Sequence, residues 1–318
     1  MKHIKVGVGF GLFRLGLPSA DTVVQVAERA EEWGLDSFWL SDHLLAPSAE
    51  LDVVATLSLL ASRTSRIKLG PSVFLLNLRH PLVAAKAFAT LDYLSGGRIV
   101  MAVGTGANLA DYAACGIPTE SRGRRLDEGI LILRKVWTET RTSFHGKFFN
   151  FDNVTIEPRP VRRTNNDTGT IDIWVGGRSE AALKRTGRLA DGYFASFQTA
   201  QEFARNMATI RAHAESFGRA NARIESGLIL LCRLAATRER AMEEMRPMLS
   251  TLGGGETLFK STLYGSPEDI IDKLQEYIAA GLDKFVLWPV AEPSAWPGQI
   301  ELIGREIASY YTRAAQAA

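Results

Sequence analysis

The sequence predicts one (β/α)8 barrel, a TIM barrel, with an enlarged connection between strands 4 and 5. Three observations carry that reading. Eight short apolar runs have the character of buried strands, a stretch of helical periodicity follows each, and no linker or shift in composition interrupts the 318 residues. An open, doubly wound sheet is the competing arrangement.

The strand runs are rich in apolar and β-branched residues and bounded by Gly, Pro, Ser or Asp, as buried parallel strands are. They fall at Ile4–Phe10, Ser37–Leu40, Ile67–Val73, Ile99–Gly104, Ile171–Gly176, Gly192–Ser196, Gly227–Leu234 and Lys284–Pro289. Between them apolar residues recur every three or four positions. In Ala20–Trp33, Val23, Val24, Ala27, Ala30 and Trp33 share one face, while Glu28, Arg29, Glu31 and Glu32 face water. Asp21 suits the first turn of that helix and Gly34 its end. Further helices fit Asp52–Arg63, Pro81–Leu94, Ser121–Trp137, Ser179–Ala190, Ala200–Phe217, Arg238–Leu249, Pro267–Ala280 and Gln299–Ala314. Residues 1–318 read as one domain with an insertion at about 106–170. The insertion holds a polar, aromatic stretch, Phe144–Phe151, with the pattern of a hairpin. Excursions of this length are functional covers or partner surfaces. A second excursion, Ser250–Ser266, contains Gly253-Gly-Gly255 and is expected to be mobile.

Composition narrows the function classes. Hydrophobic residues make up 46% and charged residues 23%, enough apolar material for a large core. The net charge is only +2 and the cations are scattered, which argues against a nucleic-acid surface. The densest basic cluster, Arg122-Gly-Arg-Arg125, soon turns acidic at Asp127 and Glu128 and reads as a solvated or anion-facing helix start. Two cysteines, Cys115 and Cys232, exclude a disulfide framework. No apolar run is long enough to span a bilayer, and Met1 leads straight into a strand with no room for a signal peptide. A cytoplasmic enzyme without nucleic-acid or membrane partners is expected.

In such barrels the chemistry sits at the carboxyl ends of the strands. Those ends carry Gly9 and Gly11, Asp42-His43, Ser72-Val73, Gly104-Thr105-Gly106-Ala107-Asn108, Gly176-Gly177-Arg178-Ser179, Ser196 and Trp288-Pro289. No nucleophile elbow and no metal-ligand spacing occurs among them, so no metal is expected. The glycines let backbone approach a flat ligand, or simply make tight turns. At Gly176-Gly177-Arg178-Ser179 a strand ends, glycines turn and Ser179 can cap the next helix. Free N–H groups, the helix dipole and Arg178 together make a phosphate seat. Of five histidines, His43 alone stands at a strand end beside a carboxylate, placed to transfer a proton. On the residues alone, a packing role for His43 and a capping role for Asp42 stay open.

Taken in order, these residues resemble the luciferase-like flavin-dependent oxidoreductase superfamily. The matching stretches are Ala30–His43, Arg79–Arg98, Val103–Gly106, Arg122–Glu128, Ile173–Ala182 and Asp191-Gly-Tyr193, which cover nearly the whole chain. The resemblance implies a barrel that binds FMN or coenzyme F420 at its carboxyl face, commonly as a homodimer. It implies a cis peptide at Ser72-Val73, a ring near Gly104, Thr105, Gly106 and Asn108, and phosphate at Gly176, Gly177, Arg178 and Ser179. His43, beside Asp42, is then the proton donor or base. With F420, hydride passes to or from a small organic substrate, and with reduced FMN an oxygen atom is inserted. F420 is slightly preferred, although Ala107-Asn108 stands where sugar-phosphate enzymes of the deazaflavin group often carry an acid. Arg79 and Lys260 are the expected cations for its acidic tail. Two other classes stay open: a flavin-binding barrel without activity, and an aldo-keto reductase, for which no Tyr/Lys/His/Asp set is found.

Overall fold

The computed structural model describes residues 4–11, 13–14, 16–45, 48–163, 168–252 and 255–316. Eight parallel strands form the barrel: β1 (Lys5–Phe10), β2 (Ser37–Leu40), β3 (Lys68–Pro71), β4 (Val100–Val103), β7 (Asp172–Gly176), β8 (Gly192–Ser196), β9 (Glu225–Leu234) and β11 (Lys284–Pro289). Their order is β3-β2-β1-β11-β9-β8-β7-β4. The two ends of that path meet through the parallel bridges Leu69–Ile99 and Phe74–Val103. The Leu69 and Phe74 N–H groups donate to Arg98 O (3.0 Å) and Ala102 O (2.8 Å) across this seam. The sheet is therefore closed, and the open doubly wound arrangement is excluded.

Large rings fill the barrel. Trp39, Trp174 and Trp288 are fully buried, and the Phe194 ring lies 4.4 Å from Trp39 and 5.9 Å from Trp174. Neighbouring strands make room by carrying glycine. A Cβ on Gly9 would fall inside the Trp288 indole, and one on Gly192 would lie 2.5 Å from Trp174 Cδ2. Near the amino end, Lys284 Nζ sits 2.6 Å from Asp36 Oδ2 and 5.2 Å from the Trp174 centroid. Burial holds the Lys284 ammonium below the usual lysine range, and Asp36 opposes that shift.

Helices surround the strands: α1 (Ala20–Glu32), α2 (Val53–Arg63), α3 (Pro81–Leu94), α5 (Arg122–Thr138), α6 (Glu180–Leu189), α7 (Ala200–Ser216), α8 (Arg238–Leu252) and α10 (Pro267–Ala279). In α1, Ser19 Oγ accepts the Thr22 N–H, and Val26 rather than Val24 joins Val23, Ala27 and Ala30 in the core. Glu31 is not simply solvated. It receives the N–H groups of Ser65 (2.9 Å), Arg66 (2.6 Å) and Ile67 (2.8 Å), anchoring the entry to β3. Partial burial works against its charge, but these donors outweigh it and bring the pKa down to about 2. The anchor is intact above the ordinary value of 4.5 and is lost only as pH falls through about 2.

The enlarged connection lies between β4 and β7, the fourth and fifth barrel strands. It holds α4 (Leu109–Ala114), α5 and an antiparallel hairpin of β5 (Thr142–His145) and β6 (Asn150–Val154). At the hairpin tip the Glu128 carboxylate accepts the Lys147 and Phe148 N–H groups, and Phe149 meets His80 edge-on at 5.5 Å. The hairpin thus lies along the outside of α3 and α5 and reaches only the rim of the mouth. In the second excursion, α8 runs on to Leu252, followed by α9 (Gly255–Ser261) and the short β10 (Leu263–Gly265), which pairs with the end of β9. Most of that stretch is regular structure, while Gly253 and Gly254 lie outside the described residues. The chain ends in α11 (Trp296–Leu302), a π-helical turn and α12 (Ser309–Gln316) where one helix was expected.

If the rings and glycines set the barrel interior, Gly192→Ala should overpack it. The expected loss is about 1–3 kcal/mol of unfolding free energy in a urea titration. A loss below about 0.5 kcal/mol, the range of neutral surface changes, would show that Trp174 has room to move.

Candidate active site

The mouth of the barrel is framed by the carboxyl ends of β1 to β4 on one arc. The Ser72 N–H donates to Leu40 O at 2.7 Å, and the Ser72-Val73 peptide is cis, as expected. Ser72 Oγ is buried and has no hydrogen-bond partner. The Val73 side chain, half-exposed, lies between two strand ends. A Cβ on Gly104 would come within 2.5 Å of its Cγ2, and one on Gly176 within 2.7 Å of its Cγ1. Glycine at both positions therefore lets Val73 form a shelf at the centre of β3, β4 and β7. Thr105 is half-buried, and its carbonyl accepts the Tyr112 hydroxyl. Asn77 holds the same hydroxyl at 3.1 Å and donates to Arg122 O at the start of α5.

At the end of β7 the chain turns through Gly177 at φ +122°, a conformation that excludes other side chains at low cost. Ser179 Oγ then caps α6 by accepting the Ala182 N–H at 3.3 Å. Arg178 is exposed beside this helix start, and its charge is felt nearby. Burial pushes the Tyr193 hydroxyl up, against hydrogen bonds from Gln198 and Asn206 and the Arg178 charge. Glu202 is held low, first by the Thr199 N–H, with Arg205 and Arg178 adding to the effect.

Asp42 and His43 part company. Asp42 is only 4% exposed. Its carboxylate takes both guanidinium nitrogens of Arg79, at 2.6 and 2.9 Å, and the Leu75 N–H at 2.8 Å. Expected as a catalytic partner of His43, it is instead the link between the ends of β2 and β3. Arg79 also lies 4.4 Å over the Phe74 ring, so this cation is committed within the rim. The His43 side chain is exposed at the mouth. Asn108 is also held within the rim. Its amide donates to Leu45 O (2.7 Å) and Asp111 Oδ1 (2.9 Å), and its Oδ1 caps α4. It ties the loop after β2 to the segment after β4. Lys260 lines a cleft with Arg238 and Lys273, together with Asp269, Asp272 and Glu276. Among the described residues, no group of three or more His, Cys, Asp or Glu is placed to hold a metal ion.

Sequence reasoning missed one pairing and one residue here. Arg79 and Asp42 are 37 positions apart, and no local spacing rule joins them. Glu50 lies in a loop, yet its Oε2 accepts the Ser41 hydroxyl at 2.7 Å at the end of β2.

Asp42→Asn and Arg79→Ala, made singly and together, test the rim. Denaturant unfolding should give a coupling of about 1–3 kcal/mol, as for residues sharing one hydrogen-bonded pair. Effects that add to within about 0.3 kcal/mol would mean that the loops are held by other contacts.

Residues 8–257 match the luciferase-like monooxygenase family. A relative named F420-dependent glucose-6-phosphate dehydrogenase, from Kineococcus radiotolerans, is 32% identical over 69% of this chain and 66% of its own. Another, named FMNH(2)-dependent dimethylsulfone monooxygenase, from Pseudomonas putida, is 32% identical over 62% of this chain and 54% of its own. The aligned parts are thus about two thirds and about half of those proteins. The solved coenzyme F420-dependent tetrahydromethanopterin reductase of Methanopyrus kandleri superposes with a TM-score of 0.80. It covers 97% of this chain and 99% of that one at 20% identity, a likeness of fold. With the closed barrel and its glycine-lined mouth, the match over residues 8–257 makes this chain a member of the luciferase-like monooxygenase family.

Proposed function

We propose that the protein is an oxidoreductase that holds coenzyme F420 in the barrel mouth and moves a hydride between it and a small organic substrate. The observation that carries this reading is the buried Ser72 Oγ, which lacks a partner beside the Val73 shelf. A buried hydroxyl of this kind is satisfied when a ligand arrives. The names of the relatives from Kineococcus radiotolerans and Methanopyrus kandleri support the choice of cofactor.

The residues fit a flat ring that ends in a phosphate. Ser72 and Val73 support the ring, with the backbone of Gly104, Thr105 and Gly106 along its edge. Gly176, Gly177, Arg178 and Ser179 hold the phosphate through N–H groups, the start of α6 and one guanidinium. When bound, the cofactor supplies the ring carbon that accepts or gives a hydride. His43 gives or takes the substrate proton at an imidazole nitrogen. Asp42 fixes the backbone from which His43 projects, through Arg79 and Leu75. Asn108 shapes the wall by holding Leu45.

A second reading, oxygen insertion with reduced FMN, is favoured by one observation. Arg79, expected for the acidic tail of F420, is engaged by Asp42, and FMN has no such tail. The Pseudomonas putida relative supports the same alternative. In either case residues 1–318 act as one cytoplasmic domain, and a homodimer would cover the apolar side chains Val83, Tyr93 and Leu94 of α3, each more than 60% exposed. Among the described residues no helix is long and apolar enough to cross a membrane.

Fluorescence titration with each cofactor, followed by an oxygen-uptake assay, separates the readings. F420 should bind and turnover should consume no oxygen, whereas tight FMN binding with oxygen uptake makes the protein a monooxygenase. Arg178→Ala should weaken cofactor binding by about 1–3 kcal/mol. His43→Ala should lower turnover about 10²–10⁴-fold at nearly unchanged cofactor affinity. Unchanged affinity or unchanged turnover, respectively, would remove those roles.

A further inference from the structure

His43 is carried on a very short piece of chain. Before it, the buried Asp42 carboxylate is bonded to Arg79 and to the Leu75 N–H. After it, only Leu44 intervenes before Leu45, and both backbone groups of Leu45 are taken. The Leu45 N–H donates to Asp111 Oδ1 at 3.0 Å, and the Leu45 carbonyl accepts the Asn108 amide at 2.7 Å. The same amide nitrogen donates to Asp111 Oδ1 at 2.9 Å, so one carboxylate oxygen organises both bonds. Asp111 is only 1% exposed, whereas Leu44 and Leu45 are 52% and 46% exposed. Side chains so exposed add little packing, which leaves the backbone bonds to Asp111 and Asn108 to hold this end of the span.

Asp111 lies on α4, in the connection after β4, while His43 follows β2. In the closed sheet β3, the strand that leads into Ser72 and Val73, stands between those two strands. The bond from Asp111 to Leu45 therefore reaches across the β3 position. Tyr112, the next residue of α4, is equally buried and gives its hydroxyl hydrogen to the Thr105 carbonyl. Two consecutive residues of one short helix thus hold the loop with His43 and the loop with Thr105.

We propose that Asp111 is a positioning residue for proton transfer: it fixes the far end of the His43 span, so the backbone beneath the imidazole is set before any ligand arrives. This rests on the role given to His43 above. With both ends held, only the backbone of His43 and Leu44 has to be ordered, and folding rather than binding bears that entropy. Without Asp111 the span is held firmly at one end only. A displacement of about 1 Å at a reacting group can cost about 10²-fold in rate. Asp111 acts here through His43, so its loss should fall on turnover and leave binding nearly untouched.

Amide 15N relaxation of the protein alone reads the anchor. The His43, Leu44 and Leu45 amides should have order parameters of about 0.85 in wild type and below about 0.6 in Asp111→Ala. Asp111→Asn, which keeps an acceptor oxygen, should restore them. Asn108→Ser keeps a capping oxygen for α4 but removes the amide donor, and it should loosen the same amides. Tyr112→Phe, which frees Thr105 instead, should leave them at the wild-type value. Turnover is followed as oxidation of reduced coenzyme F420 with cyclohexanone as the probe. Asp111→Ala should lower kcat about tenfold or more at a KM and cofactor affinity within about threefold of wild type. On a His43→Ala background the same change should lower kcat less than about twofold. Rigid amides in both Asp111→Ala and Asn108→Ser, equal loosening by Tyr112→Phe, or an equal fall in kcat with and without His43 would each overturn the assignment. A wild type that binds neither cofactor would instead overturn the function proposed above, and the amides of the protein alone would still decide whether Asp111 holds His43.

Discussion

Every other feature of the molecule depends on how the barrel is filled. A closed ring of eight strands encloses a space that side chains must occupy at near-crystalline density. Here the volume is met by a few very large rings, Trp39, Trp174, Phe194 and Trp288, set against glycines on neighbouring strands. This exchange of large for small has a directional consequence. The interior becomes a solid floor, so a ligand can enter only from an end, and the carboxyl end is the one whose loops are long and tied together. The same device recurs at the mouth on a smaller scale. Gly104 and Gly176 give up their side chains so that Val73 can project between them.

Electrostatics at the rim follows from burial. A carboxylate as deeply buried as Asp42 requires a partner, and Arg79 meets it with two parallel hydrogen bonds, the strong geometry for this pair. That pairing fixes the ends of β2 and β3 relative to each other. His43, the next residue, is exposed. At the far side, the Arg178 field and the start of α6 make the β7 end attractive to an anion.

Much of this was legible in the residue order. Ser37–Leu40, Gly192–Ser196 and Lys284–Pro289 were read to the residue, because Asp or Gly punctuates the chain at or just before each start and buried strands form continuous apolar runs. The turn at Gly176-Gly177 and the Ser179 cap were also visible, since a strand end, a glycine and a capping hydroxyl are local signals. What escaped were pairings across the fold. Asp42 looked like a partner for its neighbour His43, Asn108 like a ligand contact, and Arg79 like a tail cation, because adjacency is all that a sequence displays. Their actual partners lie 37 and 63 positions away, brought close only by closure of the sheet. Glu31 failed in the same way, placed in water by helical periodicity yet used to anchor three N–H groups of the next strand's entry.

The central claim is that the shelf at Ser72 and Val73, backed by glycine and floored by tryptophan, seats the ring of the cofactor. A crystal structure of the protein with coenzyme F420 addresses it most directly. The account predicts the ring over Val73 with a polar edge atom within hydrogen-bond distance of Ser72 Oγ, and the phosphate on the Gly177–Ser179 N–H groups beside Arg178. A cofactor bound elsewhere, with Ser72 Oγ still lacking a partner, would contradict it.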